Sequence, residues 1–128
     1  MVILDELNYE LYKCINSEFI NTQVIMTDKQ IDHVKEKHPD SFDYVIKCLK
    51  DTLETPDYIL KDLTSNTGLV IKEFTEDEKI IQVVLRLHMN EDEPSYNNSV
   101  LSVWGISKKR VERFEREVKL QRKGWENE

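Results

Sequence analysis

Three glycines, three prolines and two cysteines in 128 residues leave this chain short of the residues that build loops, cradles and covalent staples. Gly68, Gly105 and Gly124 stand apart from one another, so no glycine-rich phosphate cradle is available. Cys14 and Cys48 occur singly, without metal-ligand spacing, and read as reduced thiols on helices rather than as a disulfide framework. No apolar run approaches the ~18 residues of a membrane-spanning helix, and Met1 begins no basic-then-apolar leader. The expectation is a cytoplasmic protein with no membrane partner. His33, His38 and His88 form neither an HxxxH nor an HxH pair. A five-residue helical spacing turns two imidazoles about 140° apart, so neither a metal nor another cofactor is expected. A GxSxG elbow and a cysteine-protease signature are missing as well.

What is present is patterned. Charged residues make up 34% and hydrophobic residues 39%, in a length suited to one domain spanning 1–128 with a real core. The net charge of −7 argues against non-specific nucleic-acid binding by the whole surface. Residues 107–128 hold eight Lys or Arg against five Glu, a segment charge of +3, so residues 1–106 carry −10. A basic patch sits on an acidic body.

The longest apolar run is Ile80–Met89, IIQVVLRLHM. Read with a period of two, Ile81, Val83, Leu85, Leu87 and Met89 share one face, and Ile80, Gln82, Val84, Arg86 and His88 the other. This is the pattern of a central strand covered on its apolar face and opening onto polar side chains at its far end. Before it, the spacing predicts an amphipathic helix over Leu4–Ile15 and an edge strand over Phe19–Met26. Thr27, Asp28 and Gln30 carry a capping-box signature for a helix running to Lys37 or His38, where Pro39 stops it. Asp40 or Ser41 caps a second helix to about Leu53, with Phe42, Val45, Ile46 and Leu49 as its seam. Tyr58–Leu63 and Leu69–Phe74 read as a hairpin, Ser99–Ile106 as a last strand, and Ser107 as the cap of a closing helix. The fold class is therefore α+β: a mainly antiparallel four-stranded meander, with room for an extra edge strand, packed with N-terminal helices and a C-terminal helix.

The chemistry on offer is metal-free. A histidine can give or take a proton near neutral pH, and Arg and Lys can hold a phosphate and stabilise the charge that builds on it. Arg86 and His88 share a strand face. If Tyr58, Ser102 and Lys72 or Lys61 project to the same face, the sheet presents a cationic groove suited to RNA, whose 2′-OH supplies an internal nucleophile. Each residue also has a plainer meaning. His38 reads equally as a core histidine, His33 as a surface residue between lysines, Ser102 as structural and Trp104 as packing. In the closing helix Lys109, Arg113, Arg116 and Lys123 form a stripe opposite Val111, Phe114, Val118 and Trp125. That stripe suits phosphates or a solvated face paired with Glu112 and Glu117.

Over about residues 20–120 the order TDKQIDHVKEKHPD, PDYILKD, NTGLVIKEF, IIQVVLRL and NNSVLSVWGISKKRVERF resembles the phage-associated Barnase–EndoU–colicin–RelE-like nuclease domains of mobile elements and polymorphic toxins. The HxxxxHP arrangement of His33, His38 and Pro39, followed by PDYIL, is the most specific part. The resemblance implies an antiparallel sheet against N-terminal helices and a metal-independent ribonuclease. His33 and His38 would be its helix-borne polar residues, Lys72 and Arg86 its strand cations, and Ser102 its hydroxylic position. Lys108 or Arg110 would stand beside the substrate.

The leading expectation is thus a ribonuclease acting on RNA, tRNA among the candidates. His33, His38, Arg86 and Ser102 would be catalytic, with Lys72, His88, Lys108 and Arg110 on the substrate and a cognate immunity or antitoxin protein as a further partner. The alternative is itself an acidic immunity- or antitoxin-like binding module, with the loop Glu91-Asp92-Glu93 as its contact, or an inactive phage domain.

Overall fold

In the computed structural model, which describes residues 2–61, 66–90, 92 and 97–117, the N-terminus is a strand and not the expected long helix. β1 (Val2–Glu6) is followed by a single helical turn, α1 (Tyr9–Tyr12), which Asn8 caps by accepting the Glu10 N–H at 2.9 Å. The apolar spacing over Leu4–Ile15 is real, since Leu7, Tyr12 and Ile15 are buried. It is met by a strand, a turn of helix and the segment after it, and not by one helix. The Tyr12 hydroxyl donates to the Leu53 carbonyl at 2.6 Å, which locks this short turn onto the core.

β2 (Gln23–Met26) is shorter than Phe19–Met26 and is interior, not an edge. It pairs antiparallel with β1 and parallel with the last strand. α2 (Asp28–Lys37) begins with the full capping box. The Thr27 hydroxyl accepts the Gln30 N–H at 3.2 Å, and the Gln30 side chain accepts the Thr27 N–H at 3.0 Å. The helix ends at His38, whose N–H reaches the Val34 carbonyl at 2.8 Å, immediately before Pro39. α3 (Phe42–Glu54) follows at once and turns Val45, Cys48, Leu49 and Leu53 inward.

The next three strands are β3 (Tyr58–Lys61), β4 (Thr67–Phe74) and β5 (Lys79–Arg86), and β6 (Asn98–Gly105) leads into α4 (Lys108–Glu117). Thr67 and Gly68, expected in the turn, belong to β4. Leu63, and most of the loop from Glu91 to Tyr96, lie outside the described residues, as do Val118, Lys123 and Trp125. Together the strands form one sheet of six, in the order β1-β2-β6-β5-β4-β3. The expected meander is its β3–β6 part. The sheet as a whole is mixed, because β2 joins β6 in parallel. The extra strand expected at the edge is β2, which lies inside the sheet and joins β6 in parallel, and β1 is the strand that the expectation did not include.

The central strand alternates as its sequence dictates. Val70, Ile81, Val83, Leu85, Val100 and Val103 form the helix-facing side and pack with Val45, Leu49 and Leu53 of α3. A bulge keeps that side continuous. Val84 opposes Ser102 while Leu85 opposes Val100, so Leu101 is the extra residue, and both Val100 and Val103 are fully buried although three positions apart. On the opposite side Leu60 and Ile71 pack with Val111 of α4, flanked by Tyr58, Leu69, Ile80, Ile106 and Phe114. α4 therefore covers part of the second face and leaves Val84, Ser102 and Trp104 half-buried.

Candidate functional site

Strand registers decide which expected site residues share a surface. Gln82 opposes Ile71 on one side and Trp104 on the other, Val84 opposes Ser102, and Arg86 opposes Thr67 and Ser99. Arg86, Ser102 and Trp104 therefore lie on the face that α4 partly covers. Lys72 opposes Ile81, which belongs to the buried helix side. Lys72 and Arg86 project from opposite faces of the sheet, so the expected groove containing both does not form. The Lys72 ammonium instead donates to the Thr55 carbonyl at 2.8 Å and lies 5.9 Å from the Phe74 ring centre. Lys61 shares that orientation through its pairing with Gly68, while Tyr58 joins the α4 side through Ile71.

Arg86 is committed locally. Its guanidinium holds Asp92 through two hydrogen bonds of 2.9 and 3.1 Å and also reaches the Leu87 carbonyl at 3.3 Å. The Arg86 hydrogen bond, followed by the Met89 N–H at 2.9 Å, holds the Asp92 carboxyl below the usual carboxylate range. His88 is only 3% exposed. Its ring meets the Asn21 amide, and its backbone N–H donates to Asn98 at 2.7 Å. Asn98, itself fully buried, donates to the Asn21 and Gln23 carbonyls at 2.7 and 2.9 Å. This polar knot fastens the end of β5 to the starts of β2 and β6. Nothing in the spacing of Asn21, Asp92 and Asn98 announced it, because it joins residues far apart in the chain through buried amides.

At the other end of β6 a different cluster forms. The His38 ring lies nearly parallel to the Trp104 indole, with centroids 6.2 Å apart and planes inclined by 17°. Both residues are half-buried. Ser102 precedes Trp104 by two positions and so shares its face. Four residues beyond Trp104, α4 opens with Lys108, Lys109 and Arg110, all exposed, after Ser107 has accepted the Arg110 N–H at 3.2 Å. The Arg110 guanidinium lies 5.5 Å from the Phe114 ring centre. A concavity of about 340 Å³ is lined by Ser107, Lys109, Arg110 and Arg113. A larger one of about 430 Å³ runs from the β4–β5 turn to Ser107 and Lys108 over Ile80 and Ile106. His33 is exposed on α2, five residues before His38. From the row of Gln82 and Trp104 to Arg86 is four residues along β5, about 13 Å. The expected residues therefore divide: His38 meets Trp104, whose strand face also carries Ser102; Lys108 and Arg110 stand on α4, which packs toward β3 and β4; Arg86 and His88 lie at the other end of β5, and Lys72 on the opposite face.

Trp104, read from sequence as packing, becomes the aromatic partner in the first group. The half-buried, strand-borne tryptophan was visible in SVLSVWGI, but its helix-borne ring partner was not. Among the described residues no group of three His, Cys, Asp or Glu side chains could hold a metal ion. Burial pushes the Cys48 thiol up, which keeps it protonated and unreactive. No helix among the described residues is long and apolar enough to cross a membrane. Comparison with known proteins returned no significant match to a family model, a curated protein or a solved structure.

Proposed function

We propose that this domain is a metal-independent ribonuclease whose working surface is the His38–Trp104 end of β6. The observation that carries the reading is the half-buried imidazole stacked on a tryptophan whose strand face also carries a serine, four residues before the cationic first turn of α4. The sequence resemblance to phage-associated nuclease domains supports it. In this reading His38 takes the proton of the ribose 2′-OH, whose oxygen attacks phosphorus as the bond to the 5′-oxygen breaks; the leaving 5′-oxygen takes its proton from solvent water, and the products are a 2′,3′-cyclic phosphate and a 5′-hydroxyl. Lys108 and Arg110 neutralise the phosphate, and the Ser102 hydroxyl hydrogen-bonds the reacting group. Arg86 and His88 hold the scaffold, and Lys72 takes no part.

The test is incubation of total tRNA and rRNA with the folded protein in EDTA, beside His38→Ala, Ser102→Ala and Lys72→Ala. Cleavage that falls about 100-fold or more in His38→Ala and is unchanged in Lys72→Ala is the expected result. No cleavage by folded wild type overturns the reading in favour of an acidic protein-binding module, and undiminished cleavage by His38→Ala removes the His38–Trp104 surface from the reaction.

A further inference from the structure

We infer that the concavity between the β4–β5 turn and the start of α4 is a subsite for one nucleotide, with the base on an apolar floor and the phosphate at Lys108. The choice of ligand rests on the ribonuclease reading, and the cavity adds a place for the nucleotide beside the scissile bond. Its volume of about 430 Å³ lies within the roughly 300–1,000 Å³ of small-molecule sites. Strand register lays out the floor. Glu73 of β4 opposes Ile80 of β5, and the Ile106 N–H donates to the Ile80 carbonyl at 2.9 Å. Glu73, Ile80 and Ile106 therefore form one row across β4, β5 and the end of β6. Ile80 and Ile106 belong to the apolar cluster on the α4 side and line the cavity, each half-buried. Glu73 stands at one end of the row, and Ser107 and Lys108 follow directly from the other. Two strand spacings, about 10 Å, separate the ends.

The charges around this floor are uncommitted. Glu73, Glu78, Lys79 and Lys108 line the cavity with both signs, yet none of the four joins an ion pair among the described residues. A half-buried carboxylate such as Glu73 is costly without a donor, and a donor on the ligand offsets that cost. The walls are fixed by the chain itself. The Asp77 and Glu78 N–H groups close the turn on the Phe74 and Thr75 carbonyls at 3.1 and 3.3 Å, and the Tyr44 hydroxyl ties it to α3 through Asp77 at 2.7 Å. On the other wall Ser107 Oγ accepts the Arg110 N–H and keeps its own proton to donate. An apolar amino acid carries its two charges on neighbouring groups and cannot reach both ends of the floor. A mononucleotide can, with its phosphate on Lys108 and Ser107, its planar base over the two isoleucines and its N–H donors on Glu73. The Ile80–Ile106 row lies two residues, about 7 Å, from the Gln82–Trp104 row on the same face, so this nucleotide neighbours the His38–Trp104 surface.

The test reads the floor directly, in protein labelled at its isoleucine δ1 methyl groups and assigned through Ile80→Val and Ile106→Val. Adenosine 5′-monophosphate should shift both methyl signals saturably through the ring current of its base, and ribose 5-phosphate, which has no base, should not. Lys108→Ala should weaken the nucleotide about tenfold and leave adenosine unchanged, while Glu73→Leu should weaken both by the same factor. No shift of either methyl with the nucleotide in large excess overturns the subsite. Equal shifts with ribose 5-phosphate, or unchanged affinity in Lys108→Ala, do so as well. Shifts produced by phenylalanine in place of the nucleotide overturn it in favour of an amino-acid site. RNA cleavage in EDTA by the same samples separates the two ideas. Cleavage without base-dependent shifts leaves the ribonuclease reading and removes the subsite. Base-dependent shifts without any cleavage keep the subsite and remove the ribonuclease reading.

Discussion

The side chain of Asn98 accepts the backbone N–H of His88 at 2.7 Å, and the way the Asn21 amide turns toward the His88 ring follows from that bond. With Oδ1 engaged, the Asn98 amide nitrogen must be the atom that meets the Asn21 carbonyl, the Asn21 Oδ1 and the Gln23 carbonyl. Asn21 Oδ1 is then an acceptor, so the Asn21 amide nitrogen faces His88 Nδ1 and donates to it. Nδ1 is thus the acceptor that the His88 ring presents to this knot. Asn98→Ala leaves the His88 N–H and two carbonyls without their partner in a buried site and should lower stability by about 2–4 kcal/mol. A change within experimental error in chemical denaturation would show that water replaces the amide.

The Arg86–Asp92 pair predicts a pH dependence. The Asp92 carboxyl is held below its ordinary value of 3.8, chiefly by its Arg86 hydrogen bond. The folded state therefore holds this proton less tightly than the unfolded chain does. Its contribution is complete above the unfolded value and is lost as pH falls through the folded one. Asp92→Asn removes the dependence. Denaturation at pH 7 should place Asp92→Asn about 1–2 kcal/mol below wild type, and the gap should narrow by pH 3. A gap of constant size across that window would show that Asp92 acts through shape and not charge.

Gly68 predicts a steric outcome. A Cβ at this position would lie 2.3 Å from Ile15 Cδ1 and 2.7 Å from Cγ1, with the Leu60 carbonyl 3.2 Å away. Ile15 is buried and cannot swing clear. Gly68→Ala should therefore cost about 1–3 kcal/mol. Ile15→Val deletes the nearest atom, so the double variant should lose less than the sum of the two single changes in thermal denaturation. Additive losses would place the strain in the backbone of β4.

Much of this architecture is legible locally. The capping box at Thr27 and the stop at Pro39 are set by neighbours in sequence and appear where the spacing places them, and the period of two expected over Ile80–Met89 holds a strand as far as Arg86, with Leu87–Met89 buried beyond its end. What escaped depends on distant partners. Val2–Glu6 is a strand because β2 is there to pair with it, and the helix capped by Asn8 begins at Tyr9, five residues later than the leucine spacing suggests. The sequence lets Lys72 and Arg86 share a groove, yet cross-strand register sends them to opposite faces. The bulge at Leu101 reverses alternation within β6 and left no mark in its composition. His38 was found by spacing, but its partner Trp104 is set by the packing of α2 on β6.

Gln82 carries the last prediction. It is 1% exposed in the middle of β5, between Ile71 and Trp104, and its Oε1 has no hydrogen-bond partner among the described residues. A buried acceptor left unpaired costs about 1–3 kcal/mol relative to an apolar group of the same shape. Methionine has nearly that shape and no acceptor. Gln82→Met should thus leave the melting temperature unchanged or raise it, unlike most substitutions of a buried residue. Gln82→Glu should destabilise the fold strongly at pH 7, where it buries a charge, and recover as acid neutralises the carboxyl. A loss above about 1 kcal/mol in Gln82→Met would mean that Oε1 is paired in solution, with an ordered water the first group to look for.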